Sequence, residues 1–356
     1  MRAKIAVCHI HKTAGTTISR YLRSNYPRES VFPVDGLDGL TQALIDRIND
    51  YSLIVGHFPL SFLRAFLDSE WQIVTVLRDP VARFVSHVTY SQELSPLGAS
   101  SSLLTLLRED PAYVEAMSNF QTRFLGAWLS PNEWRFLVSS GQTRRYHLTD
   151  WWFRGGLGSA LRIAVEEMRN IPFVLKSNEL DAGMKHLAIA CSLWPCEQLP
   201  VANRGSYHAS HDVEESAGIQ ELALQCNQVD MQLMELAKPL CVLPPRDVEW
   251  SAYRRSWMLQ FGDRRSVFVA ADHQFLGTGW HEPEFNAEGV TFCWSDSTLD
   301  QTLYVPLNGS GDYEVLISIY VPGGRDDFSA RLEWKGIIHS ATTITLRKQW
   351  ADCLFK

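Results

Sequence analysis

The segment KIAVCHIHKTAGTTISRYLRS, residues 4–24, constrains the fold most. Residues 4–10 read as a strand buried on both faces, and residues 16–24 read as a helix with Ile18, Tyr21 and Leu22 on one side. A buried strand that empties through a glycine-containing loop into an amphipathic helix is the opening of a β-loop-α unit. Such a loop presents the unpaired amides of a helix N-terminus, and these favour an anion. Gly15 lets the backbone curl closely, Thr13, Thr16 and Thr17 offer hydroxyls, and Lys12 brings a mobile positive charge. An ordinary strand-to-helix turn with a capping threonine is the plainer reading of the same stretch. The lysine precedes the glycine here, so the nucleotide-triphosphatase pattern G-x-x-x-x-G-K-[ST] is absent.

The same alternation continues. SLIVGHFP at 52–59 and WQIVTVLRDP at 71–80 read as strands, the latter almost continuously apolar, as in a sheet covered on both faces. Pro80 suits the first turn of a helix running through Tyr90. Helices are expected over 103–109, 111–128, around ALRIAVEEMRN, and after a fourth strand in IPFVLK at 171–176. Strands alternating with helices predict an α/β fold with a mostly parallel sheet and flanking helices. Near residue 260 the texture changes to short, turn-bounded, alternating segments such as YEVLISIYV and ATTITLRKQW. These predict a separate all-β, sandwich-like module over 260–356, with Trp280, Trp294, Trp334 and Trp350 as core or as sugar-stacking platforms.

The second anion element is VLRDPVARFVSHVTY. Arg78 falls at a strand end, and Ser86 lies on the following helix. A guanidinium fork and a hydroxyl can grip one phosphate. Two anion sites on neighbouring strand ends suit one nucleotide phosphorylated at two places. The net charge of −7 argues against a nucleic-acid coat or an anionic membrane surface as partner. No apolar run approaches the length of a membrane span. The loop begins within a dozen residues of Met1, so no leader is expected. Seven scattered cysteines read as reduced thiols in a cytoplasmic protein. Cys191 and Cys196 lack C-x-x-C spacing, and the alternate pair His9 and His11 reads as incidental, so no metal is expected.

Lys12-Thr13-Ala14-Gly15-Thr16-Thr17 resembles the 5′-phosphosulfate loop of the carbohydrate sulfotransferases, and Arg78 through Ser86 resembles their 3′-phosphate motif. The likeness is greatest to the uronyl 2-O-sulfotransferases and their bacterial relatives. It extends through NFQTRFLGAW at 119–128 and FVLKSNELDAGMKHLA at 173–188. More weakly it reaches VANRGSYH at 201–208 and NQVDMQLMELA at 227–237. His11 departs from the family, which usually has proline there. The resemblance implies a sulfotransferase domain over 1–255, with a P-loop-like parallel sheet and no metal. It implies 3′-phosphoadenosine 5′-phosphosulfate (PAPS) as donor and a carbohydrate or glycoconjugate as acceptor. Lys12 would serve the leaving phosphate, Thr16 and Thr17 would anchor the 5′-phosphate, and Arg78 and Ser86 would bind the 3′-phosphate. His57, in the Gly56-His57 pair at a strand end, would be the general base. His87 is expected to point elsewhere. Arg123, Asn203 and Arg204 are candidate contacts to acceptor or donor. A nucleotide-dependent phosphotransferase on the same fold, or a sugar-binding or assembly role for the C-terminal module, are the competing functions.

Overall fold

A computed structural model describes residues 3–94, 102–143, 156–195 and 213–261, and short strands between 277 and 355. The chain divides into two compact units, the larger holding the sheet that follows here. Four strands make up that sheet: β1 (Lys4–Cys8), β2 (Leu53–Gly56), β3 (Trp71–Leu77) and β4 (Phe173–Lys176). Their order is β2-β1-β3-β4, and every pairing is parallel. Cys8 stands in register with Gly56 on one side and Thr75 on the other. The segments that follow β1, β2 and β3 therefore leave from one edge of the sheet. Successive strands lie on opposite sides of β1, and open sheets of this kind place ligand crevices at that point.

Alternation along β1 sorts the core into two faces. Ile5 and Val7 pack with Ile18, Tyr21 and Leu22 of helix α1 (Gly15–Arg23), and with residues of a later helix in 180–191. Ala6 and Cys8 face the opposite way, where α3 (Leu60–Phe66, after the short α2 at Gln42–Asp46) contributes Leu60, Phe62 and Leu63. Burying each such side chain stabilises the fold by about 1.5–3 kcal/mol. Covering both faces is what makes the strands read as continuous apolar runs.

The helix α4 (Pro80–Leu94) starts because Asp79 caps it: its Oδ1 accepts the Ala82 amide at 2.7 Å. With α5 (Leu103–Glu109) and α6 (Pro111–Met117) it shares a third apolar cluster around Phe84, Val88 and Leu107. The single helix expected over 111–128 is in fact two, because Asn119 takes φ +46° between α6 and α7 (Phe120–Gly126). A left-handed residue there breaks the α6 direction and starts α7 afresh. Next come α8 (Pro131–Ser139), opened by a Ser130/Glu133 capping box, and α9 (Gly156–Met168). At Gly126 a Cβ would stand 1.9 Å from the Ala160 carbonyl oxygen, so glycine is what lets α7 and α9 pack this closely. The helices of this unit end with α10 (Leu180–Cys191), α11 (Val213–Cys226), α12 (Gln228–Ala237) and α13 (Asp247–Phe261), and the same unit takes in residues 265–306.

In the C-terminal region, β5 (Gly277–Thr278) pairs with β8 (Thr302–Leu303), and β6 (Glu284–Phe285) with β7 (Thr291–Phe292). The smaller unit contains β9 (Val315–Tyr320), β10 (Arg331–Trp334), β11 (Ile337–Ser340), β12 (Thr343–Arg347) and β13 (Trp350–Phe355). These pair antiparallel as β12-β13-β9 and β10-β11. The segments that would join such pairs into a sandwich, and the tryptophans at 280 and 294, lie outside the described residues.

Candidate functional site

The loop after β1 is under backbone strain. Lys12 has φ +66° and Ala14, the N-cap of α1, has φ +74°. Each left-handed non-glycine residue costs about 1–2 kcal/mol, so the loop needs external ties. Three are visible. The Thr13 hydroxyl is fully buried and donates to the Ile10 carbonyl at 2.8 Å. Arg78 Nη1 donates to the Lys12 carbonyl at 2.9 Å. The His9 imidazole lies against Gly15, where a Cβ would fall 1.6 Å from Nε2. Thr13 thus braces the loop from within. Ala14 supplies no side-chain cap to α1, and Thr16 and Thr17 stand in its first turn. Amides of a first helical turn have no acceptor inside the helix.

Arg78 joins this loop to the end of β3. Its Nη1 makes the bond to Lys12, while Nη2 and Nε make none among the described residues. Burial pulls its guanidinium below the ordinary value, and the charge of Asp79 opposes that shift. Gln121, at the start of α7, clasps the Arg78 backbone: Oε1 accepts its N–H at 2.9 Å and Nε2 donates to its carbonyl at 2.8 Å. Gln121 is in turn held by buried Asp230 of α12, which accepts the amides of Gln121 at 3.0 Å and Thr122 at 2.7 Å. The arrangement is reciprocal, since Asn119 Oδ1 accepts the amides of Val229 at 2.9 Å and Asp230 at 3.0 Å. Each residue caps the other's helix. Desolvation raises the Asp230 carboxyl above its usual range, against the pull of Arg83 and of the two amides.

Lys12 reaches toward α4, with its ammonium 4.0 Å from the centre of the Tyr90 ring. Ser86 is half-buried on the same helix, four residues before Tyr90 and so on the same side of it. Lys12 and Arg78 therefore belong to one neighbourhood at the sheet edge, with Ser86 one turn before Tyr90 on α4.

His57 follows β2. Its amide donates to the Asp35 carbonyl at 2.7 Å, and Gly56 allows that approach, since a Cβ there would stand 2.4 Å from the same oxygen. His57 Nδ1 is 2.9 Å from the His9 carbonyl. A carbonyl can only accept, so Nδ1 carries the proton and neutral His57 presents its lone pair at Nε2. The ring lies between two others: His9 at 4.2 Å and His11 at 3.6 Å, both stacked. His87 of α4 meets His11 edge-on at 6.1 Å, so it points into this cluster rather than elsewhere. Burial lowers the pKa of His57 below 6.5, opposed by the His9 carbonyl and by Asp35. His9 is lowered further, by burial and then by His57.

Arg123 turns to the end of α6, where Nη1 donates to the carbonyls of Glu115 at 2.6 Å and Ala116 at 3.1 Å. Asn203 and Arg204 lie outside the described residues, as do Trp151 and Trp152. Reading the sequence alone missed Gln121, Asn119, Asp230 and the part played by His9 and His11. The Asn-x-x-Asp at 227–230 is a cap-like pattern that could have pointed to one of them. No family model matches this chain, and no curated protein does either.

Proposed function

We propose that the protein is a PAPS-dependent O-sulfotransferase acting on a carbohydrate-type hydroxyl. One observation carries the reading. A single edge of a parallel sheet gathers a strained, glycine-containing loop bearing Lys12, an arginine bonded to that loop, and a histidine whose tautomer leaves Nε2 as a base. Two cationic side chains from neighbouring strand ends suit one nucleotide phosphorylated at two places. When bound, PAPS supplies an activated sulfuryl group on its 5′-phosphate.

The chain's own residues have separable tasks. His57 Nε2 takes the proton of the acceptor hydroxyl as the new oxygen–sulfur bond forms. Lys12 balances the negative charge that grows on the departing 5′-phosphate oxygen as the old bond breaks. The first turn of α1, with Thr16 and Thr17, holds that phosphate. Arg78 and Ser86 hold the 3′-phosphate, which separates this donor from ATP. Thr13, Ala14 and Gly15 set the loop's shape. The proton ends on His57 and passes to solvent after release.

Calorimetry tests the nucleotide assignment. The protein should bind 3′-phosphoadenosine 5′-phosphate far more tightly than AMP, with no Mg²⁺ present. A charge-assisted contact is worth roughly 1.5–3 kcal/mol, so Arg78→Ala should weaken binding about ten- to a hundred-fold. Equal affinity for the two nucleotides overturns the assignment. Labelled PAPS offered with a panel of glycans, and mass spectrometry of the product, then identifies the acceptor.

A further inference from the structure

Stacking of His57 between two other imidazoles has no part in the chemistry derived so far. His57 is fixed in two ways. The His9 carbonyl at 2.9 Å sets which nitrogen is protonated, but a single hydrogen bond leaves the ring free to rock about that bond. The plane is set by the flanking rings, and these are unequal. His11 lies nearer, at 3.6 Å, and more nearly parallel, at 11°, against 4.2 Å and 27° for His9. His9 is already committed to Gly15, where its ring fills the space a side chain would need. His11 is backed in turn by Phe120 at 5.4 Å and Phe124 at 6.2 Å, both edge-on, from α7. A rigid aromatic wall thus stands behind the ring that touches His57.

We infer that His11 is a positioning residue for His57: its imidazole, stacked face to face and braced by α7, holds the plane in which Nε2 meets an acceptor hydroxyl. What His11 positions for catalysis rests on the transfer reaction proposed above; that it orients the ring does not. The titratable groups around the pair are His9, His11 and Asp35, with His87 facing His11 from α4. A second positive charge in such a stack is opposed by the first.

Three proteins compared by NMR test the inference: the full-length wild type, His11→Phe and His11→Ala, each with ¹⁵N-labelled histidine. His11→Phe keeps a planar ring. It should preserve the ring-current shift of the His57 carbon-bound protons and the dominance of the Nδ1–H tautomer. His11→Ala should lose the shift and broaden the His57 ring resonances as the ring rocks about the bond to the His9 carbonyl, which still sets the tautomer. Should His11→Ala fail to fold, His11→Leu fills the space without a plane and takes its place. In turnover, His11→Ala should lower kcat roughly ten- to a hundred-fold, the scale of a misplaced catalytic group. KM for PAPS should not move, and His11→Phe should restore kcat. Unchanged His57 resonances in His11→Ala overturn the inference, and so does an unchanged kcat in that variant. A wild type that transfers no sulfuryl group sinks the proposed function instead, and the NMR comparison still decides the role of His11.

Discussion

At the scale of single residues, the proton on His57 is the most informative quantity. Burial holds its pKa below 6.5, so at neutral pH the imidazole is unprotonated and its Nε2 is available. Turnover should therefore rise with pH through one ionisation centred below 6.5 and stay level above it. In His57→Ala that step should vanish, with turnover down roughly a hundred-fold or more, the usual scale for a general base. Nucleotide affinity should be unchanged, because no nucleotide contact is assigned to this ring. Near-normal turnover with the true acceptor would give the proton to another group. Stability follows the same sign. His9 and His57 both take up protons more readily unfolded than folded, so their contribution is complete above 6.5 and is lost as pH falls through the depressed folded values. That Lys12, Arg78 and His57 fall just after strand ends, with Ser86 on the next helix, was legible from the sequence because strand ends and glycines mark where a parallel sheet opens. The ring stack was not. His9, His11, His57 and His87 come from three separate segments, and only the folded loop brings their rings together.

Among elements, the pair α7 and α12 matters most. Each N-terminus is capped by a buried side chain of the other, through Asp230 and Asn119. Asn119→Ala strips the buried Asp230 amide and the part-buried Val229 amide of their acceptor, and leaves a β-carbon at φ +46° without the polar side chain that suits that conformation. It should cost about 1–3 kcal/mol, read as a lower urea midpoint with an unchanged slope. Gln121→Ala frees both backbone groups of Arg78 and should weaken nucleotide binding as well as stability. A stability loss with binding intact would mean that Arg78 is held by the Lys12 loop alone. Apolar periodicity revealed β1 through β4 and most of the helices, since burial on two faces writes itself into composition. It overran β1 and β2 at their C-terminal ends, where the chain turns aside to build the site. It also fused α6 with α7. The break at Asn119 depends on residues more than a hundred positions away, which no local window contains.

For the whole molecule, the three apolar clusters of the α/β unit draw their buried members, among the described residues, from residues 5–250. A chain ending at Phe261 should therefore melt in one cooperative transition and bind 3′-phosphoadenosine 5′-phosphate as the full chain does. Calorimetry on the shortened protein checks this, and loss of either property would make the remaining strands part of the nucleotide-binding unit. After residue 260 the described strands β9, β12 and β13 pair antiparallel.

The reciprocal caps also set an order of events during synthesis. Asn119 and Asn227 are bonded across 108 positions, and Gln121 and Asp230 across 109. Gln121 is what clasps Arg78, and Arg78 is what ties down the loop at Lys12. A nascent chain that has emerged only as far as α10 already possesses β1 through β4, yet lacks the last anchor of the loop after β1. Closing so distant a contact is slow relative to local helix formation. The loop at Lys12 is thus among the last parts to take up working geometry, and a chain stalled before Asp230 would carry a formed sheet with an unset site.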